Sequence, residues 1–268
     1  MTLGFKEISM VHHLHDGKRF SKIIGSISLK KFEEIVKNKN ILFTFDDGYR
    51  SQLEASKILN KFKKKGIFFI HTSHLNNNFD YHEIMKFFVK KIYKNYLDYY
   101  KDMKIYFKKK GIIFNNLKKK NNHKFYSKQE IEIQFFRLNH NNLYNEFLSK
   151  VLSENNINIA KLQKNIFLNK KEIRELSKKH EIGLHTNSHP YNFDKLTYLE
   201  QLNELIENKK ILEKIIKKKI SKFSYPYGKY NKYTRTVLKD LGITEAYLNC
   251  ETSVKNNLKI GRTNINMY

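Results

Sequence analysis

The stretch Ile41-Leu42-Phe43-Thr44-Phe45-Asp46-Asp47-Gly48-Tyr49 limits the fold more than any other part of the chain. A short apolar, partly β-branched run that stops at two acids and a glycine reads as a buried parallel strand. In α/β sheets and barrels the carboxyl end of such a strand is where ligands bind. Neighbouring acids leave a strand on opposite sides, and holding both at the rim of a core costs desolvation unless a cation or a proton offsets it. One acid therefore reads as a metal ligand and the other as a base. A second reading stays open here, in which Asp46 or Asp47 merely caps a helix over 51–65.

The surrounding pattern is that of an α/β chain. Ser28 caps a helix running to Val36; Ala55, Ile58, Leu59 and Phe62 mark an amphipathic helix closed by Gly66; and Ile67-Phe68-Phe69-Ile70 is a second buried strand. Strand, helix and strand in this order make a parallel sheet with right-handed crossovers. His71 and His74 follow the second strand, either facing the same cleft or sitting idle in a loop. Between residues 76 and 165 the chain turns rich in Lys, Asn, Tyr and Phe with helical spacing, which predicts an inserted helical subdomain. Its Tyr, Phe and Lys alternation over 87–110 suits either packing on the core or contact with sugar rings or an anionic surface.

Three further strand ends carry candidate chemistry. Met10-Val11 leads into His12, His13, His15 and Asp16, and imidazoles there can ligate or donate protons near neutral pH. Glu181-Ile182-Gly183-Leu184 ends in His185-Thr186-Asn187-Ser188-His189-Pro190, where two imidazoles separated by small polar residues can close on one cation. With Asp47 they fit a two-histidine, one-carboxylate face that leaves positions open for water and substrate. Phe223-Ser224 ends in Tyr225-Pro226-Tyr227-Gly228, an irregular rim able to aim a main-chain N–H at a reacting oxygen. Helices over 199–218 and 231–241 and strands over 246–249 and 258–262 complete the chain.

Thr44-Phe45-Asp46-Asp47-Gly48, His185 to Pro190 and Tyr225-Pro226-Tyr227-Gly228, in this order and each at a strand end, resemble the polysaccharide deacetylase family with the NodB homology domain. The likeness covers roughly 8–75 and 166–265 and skips the insertion. It implies one catalytic domain over 1–268, a distorted (β/α) barrel of the NodB type with the helical insertion at 76–165, and metal-dependent removal of an acetyl group from an N-acetylated sugar. By motif position, Asp46 is the expected general base, and Asp47, His185 and His189 are the expected ligands of a divalent metal. Zinc leads for that metal, with cobalt, nickel or manganese as alternatives. The Tyr227 N–H is the expected oxyanion donor. Members of the family often carry an arginine two residues before the motif proline, a tryptophan motif and a C-terminal histidine. This chain has Ser224, no tryptophan and Lys259-Ile260-Gly261-Arg262 in those places. The acid is therefore sought among His12, His13 and His15, with His13 taken for the role. His12, His15, Tyr225, Pro226 and Arg262 are taken to line the substrate. Asp46 acting as base and then acid is the alternative.

Charge bears on the partner. The net charge of +26 over 268 residues comes mostly from lysine, either as a solvated coat or as attraction for a phosphate-bearing sugar or an anionic membrane surface. Nucleic acid is not expected, because the charge is spread along the chain and arginine is scarce. One cysteine, Cys250, excludes an internal disulfide and a cysteine-rich zinc module. With no apolar leader at Met1 to Met10 and no membrane-length apolar run, the expected place is the cytoplasm, peripheral to the inner membrane at most. The substrate expected there is a nucleotide- or lipid-linked glycan precursor. A barrel that binds sugar without turnover, or a hydrolase of another acyl amide such as formyl, are the competing functions.

Overall fold

The computed structural model describes residues 7–23, 25–76, 78–112, 128–250 and 256–268, so residues 77 and 113–127 of the expected insertion lie outside the described residues. Two compact units emerge, Met1–Asn78 with Gln163–Tyr268, and Phe79–Leu162.

The first unit is built on a curled, seven-stranded, all-parallel sheet of half-barrel form, in the spatial order Glu245–Tyr247, Lys222–Ser224, Glu181–Leu184, Gly66–Ile70, Leu42–Phe45, Ile8–Val11 and Thr263–Asn264. Its strands are β1 (Ile8–Val11), β4 (Leu42–Phe45), β5 (Gly66–Ile70), β6 (Glu181–Leu184), β7 (Lys222–Ser224), β8 (Glu245–Tyr247) and β9 (Thr263–Asn264). A separate parallel pair, β2 (Leu14–His15) and β3 (Ile27–Ser28), lies between β1 and the first helix. The central strands β4 and β5 are buried throughout, as a run without alternation predicts for a sheet covered on both faces.

Helices α1 (Leu29–Asn38), α2 (Gln52–Lys61), α8 (Lys170–Leu176), α9 (Tyr198–Ile216) and α10 (Thr234–Asp240) make the crossovers. Ser28 caps α1 through the Lys31 N–H, and Thr197 and Asn169 form capping boxes on α9 and α8. The helix α2 does not extend to Gly66. Instead the helix gives out before Phe62, Lys63 takes a left-handed turn, and Gly66 opens β5, where an added Cβ would meet Leu59, the Phe43 carbonyl and Phe45.

The C-terminal stretch spans the gap between the two edges of the sheet. Ile260 bridges to Tyr247 of β8, with Leu248 N–H donating to the Ile260 carbonyl and Ile260 N–H to the Ala246 carbonyl, while Thr263 and Asn264 pair with Ser9 and Met10 of β1. The strand expected over 258–262 is thus a single bridge followed by β9. Cys250 is half-buried in the turn after β8, where its carbonyl accepts from the Arg262 N–H, and not in a strand.

The second unit is helical: α3 (Tyr81–Ile92), α4 (Tyr96–Lys109), α5 (Lys128–Asn139), α6 (Asn141–Glu154) and the first part of α7 (Ile159–Ile166). It buries Tyr99, Met103, Phe107, Phe147, Leu148 and Val151, and the Tyr99 and Tyr144 hydroxyls meet at 2.8 Å. Among the described residues no helix is long and apolar enough to cross a membrane.

Candidate active site

The three motifs converge at the carboxyl ends of β4, β6 and β7. Each leaves its strand through left-handed backbone on a residue other than glycine: Asp47 at φ 73°, Thr186 at 66°, His189 at 55° and Tyr227 at 55°. Such conformations cost on the order of 1–3 kcal/mol each and persist where surrounding structure enforces them. Here the turns aim the polar side chains together. Gly48, at φ 72°, packs so closely on Ile70 that a Cβ would lie 2.9 Å from Cγ2.

Asp47 Oδ1 lies 3.3 Å from His185 Nε2 and 3.4 Å from His189 Nε2, and all three residues are buried. The three ligand atoms stand within 4.8 Å of one another. His185 Nδ1 lies 2.8 Å from the Ser224 carbonyl, which can only accept, so Nδ1 carries a proton and the ring is turned with Nε2 toward Asp47. His189 Nδ1 lies 3.5 Å from the Tyr227 hydroxyl. Burial alone would raise the Asp47 carboxyl; the His185 hydrogen bond and the charges of His189 and His12 outweigh it and hold the group well below the usual carboxylate range. One anionic oxygen and two imidazole nitrogens, buried and mutually close, are a donor set that suits a divalent metal such as zinc.

Asp46 points elsewhere, as alternation at the strand end requires. Arg262 Nη1 donates to its Oδ1 at 2.8 Å and Nη2 to its Oδ2 at 2.7 Å, and Ser224 Oγ donates to Oδ2 at 3.1 Å. Burial pushes this carboxyl up, but Arg262 above all, then His185 and His12, bring it below its ordinary value. Neither acid caps α2: Ser51 occupies the cap, and its hydroxyl bonds the Leu14 N–H and His13 instead. The capping alternative therefore gives way.

Several expectations change. His13, expected as the acid, has Nε2 at 2.9 Å from the Ser21 carbonyl and Nδ1 at 3.0 Å from Ser51 Oγ, with its ring edge-on to Tyr49; it ties the loop after β1 to the start of α2. His15 sits in the small β2–β3 pair, and burial followed by the Lys22 charge lowers its pKa. Tyr225, expected to line the substrate, is buried, packs on Phe223 and donates its hydroxyl to the Leu258 carbonyl at 2.6 Å. Pro226 is buried at the start of a single 3-10 turn over 226–228. Arg262 is a buried partner of Asp46, with no exposed face to offer a substrate. His12 keeps its place beside the site: its charge acts on both Asp46 and Asp47, and its carbonyl is tied by Gln52 Nε2, which also holds the Asp46 carbonyl. His71 joins the cluster by stacking on His189, ring centroids 5.4 Å apart.

Other supporting residues carry no motif. Asn208, inside α9, accepts from the His185 N–H and donates to the Ile70 carbonyl and to Thr72. Glu204, on the same helix, accepts from the Asn187 and Ser188 N–H groups. Only their position one helix away from the histidine turn marks them.

The model of the polysaccharide deacetylase family matches residues 33–246. No curated protein matches the chain by sequence. Similar solved structures include the Streptococcus pyogenes deacetylase PplD in complex with acetate, at 14% identity and TM-score 0.55, covering 96% of this chain and 91% of that one. The polysaccharide deacetylase BC0361 from Bacillus cereus is similar at 17% identity and TM-score 0.53, over 97% of this chain and 64% of that one. A de-N-acetylase from Aggregatibacter actinomycetemcomitans is similar at 13% identity and TM-score 0.51, over 96% and 93%. At these identities the likeness speaks for the fold, which agrees with the half-barrel described above. With the family model spanning most of its length, the chain belongs to the polysaccharide deacetylase family.

Proposed function

We propose that the protein is a metal-dependent hydrolase that removes the acetyl group from an N-acetylated sugar carrying an anionic group, such as a nucleotide- or lipid-linked glycan precursor. The observation that carries this reading is the buried set of Asp47, His185 and His189 beside a second, separately held carboxylate, Asp46. A pure binding site has no use for a base next to three ligands. The net charge of +26 supports the anionic carrier.

Asp47, His185 and His189 would hold a divalent cation, which when bound would polarise the amide carbonyl and make a water more acidic. Asp46, kept ionised by Arg262, takes the proton of the attacking water. The main chain at Tyr227 is assigned to the developing oxyanion. His12, whose charge is felt at both carboxylates, is assigned the proton for the leaving amine in place of His13.

The test is acetate release from UDP-linked and lipid-linked N-acetyl sugars and from N-acetylglucosamine oligomers, with and without chelator, beside Asp46→Asn. Chelator-sensitive release that the variant loses is expected. Release of formate from N-formyl analogues only would move the acyl group, and no release from metal-loaded protein would defeat the hydrolase reading.

A further inference from the structure

Arg262 lies beyond residues 33–246, the part of the chain that the family model matches, and in none of the three motifs. Its side chain is 0% exposed. A guanidinium has five N–H donors in a fixed fork, and here there are five acceptors. Nε donates to the Leu248 carbonyl at 2.9 Å, Nη1 to Thr44 Oγ1 at 3.2 Å and Asp46 Oδ1 at 2.8 Å, and Nη2 to Asp46 Oδ2 at 2.7 Å and Ser224 Oγ at 2.9 Å. Thr44 belongs to β4, Ser224 to β7, and Leu248 directly follows β8, so the guanidinium is located by three parts of the sheet besides Asp46.

The consequence falls on the carboxylate. Among the described residues, Oδ2 accepts from both Arg262 and Ser224, and Oδ1 accepts from Arg262 alone. Of the four lone-pair sites of the carboxylate, the remaining one is on Oδ1. The stretch that carries Arg262 is also the one that bridges β8 to β1, so closing the sheet and seating the base are one event.

We propose that Arg262 is the positioning residue for Asp46: delivered by the closing segment, it fixes both carboxylate oxygens with Ser224 and leaves Oδ1 as the atom that receives the water proton. The inference rests on the deacetylase reading for its chemistry and on the five hydrogen bonds for its geometry. A lysine could supply the charge but not the fork, and a base displaced by about 1 Å loses on the order of 100-fold in rate.

The experiment uses the full chain with, as substrate, whichever of the UDP-linked, lipid-linked and oligomeric N-acetyl sugars named above releases acetate fastest, and Co2+ absorption as the probe of the metal site. Arg262→Lys and Arg262→Ala are expected to lower kcat about 100-fold, with KM and Co2+ affinity within about threefold of wild type. Adding Ser224→Arg to Arg262→Ala should regain at least tenfold, because an arginine there starts from the position whose hydroxyl already touches Asp46 Oδ2. Single variants that keep kcat within threefold, or a loss that follows Co2+ affinity and is not regained by the double variant, would overturn the inference. A second readout needs no turnover: melting temperatures of wild type, Asp46→Asn, Arg262→Gln and the double variant. Should wild type release no acetate, the deacetylase reading fails while a non-additive cycle still upholds the clamp; additive shifts overturn the clamp itself.

Discussion

Replacing Gly183 by alanine should unsettle both the core and the site. Gly183 in β6 stands opposite Phe69 in β5, and a Cβ there would lie 2.3 Å from Phe69 Cδ1, 2.4 Å from Cε1 and 3.2 Å from the Lys222 carbonyl. Carbon atoms rest at about 3.5–4.0 Å, so the ring must withdraw by more than about 1 Å. It has little room, since Phe69 is fully buried, with its centroid 5.1 Å from the Tyr247 ring and 5.8 Å from the Arg262 guanidinium carbon. Overpacking of this kind costs about 1–3 kcal/mol, and a rigid ring trapped in the sheet belongs at the upper end. The alanine returns about 0.4–1 kcal/mol by restricting the unfolded chain. The net, about 2 kcal/mol, corresponds to a fall in Tm of about 4–8 °C for a chain of this size. Scanning calorimetry on the two proteins at equal concentration would show it. Phe69→Leu in the same background should recover part of the loss, because the clash is with the ring atoms. A Gly183→Ala protein melting within 1 °C of wild type would refute the argument, as it would mean that the ring relocates without resistance.

Other consequences can be checked alongside. His13→Ala removes two hydrogen bonds and a buried ring, so it should lower stability by about 2–3 kcal/mol while the folded fraction keeps its kcat; loss of turnover in a natively folded variant would return His13 to the chemistry. Asp47→Ala should reduce Co2+ affinity by at least 100-fold in equilibrium titration, and tight binding by the variant would show that the ion sits elsewhere. Burial lowers His180 from its ordinary 6.5 to about 4, with Ser56 and the Gly66 N–H on its two nitrogens. Between those values the unfolded chain binds a proton that the folded chain refuses, so stability should fall as pH drops from about 6.5 to 4, by at most about 3 kcal/mol. In His180→Gln that part of the slope should vanish from urea titrations taken across the range.

What the chain discloses before folding, and what it hides, follows from distance along the sequence. The strand ending at Asp46 and Asp47 and the histidines at 185 and 189 announce themselves because chemistry and strand end coincide within a few residues. Arg262 does not, since its partner lies 216 residues away and a lone arginine near a terminus looks like a surface or substrate contact. Asn208 is hidden in the same way, 23 residues from one partner and 138 from another, inside a helix whose periodicity says only that it packs. Among the clustered histidines, neighbours in sequence part company in space. His12 stays beside the acids, whereas His13 turns to Ser21 and Ser51, a distinction that rests on one backbone step. Tyr225 misleads for a related reason: a tyrosine in a motif suggests a sugar contact, but its strand-end position turns the ring into the core.

The residues that flank the helical stretch over 79–162 are tied to one loop of the sheet unit. Asn78 N–H donates to the Ser73 carbonyl, and Gln163 Nε2 reaches the His74 carbonyl at 3.3 Å, while His74 itself stacks on Phe167 and bonds the Leu168 carbonyl. Departure and return points are thus knotted together by a single loop. A chain tethered at neighbouring points pays for its length only logarithmically, so a tether a tenth as long would alter the closure free energy by about 2 kcal/mol. The tie therefore makes this locus tolerant of insert length: the cost of closing the excursion is set by the loop that holds its two ends, and the sheet beneath keeps its register.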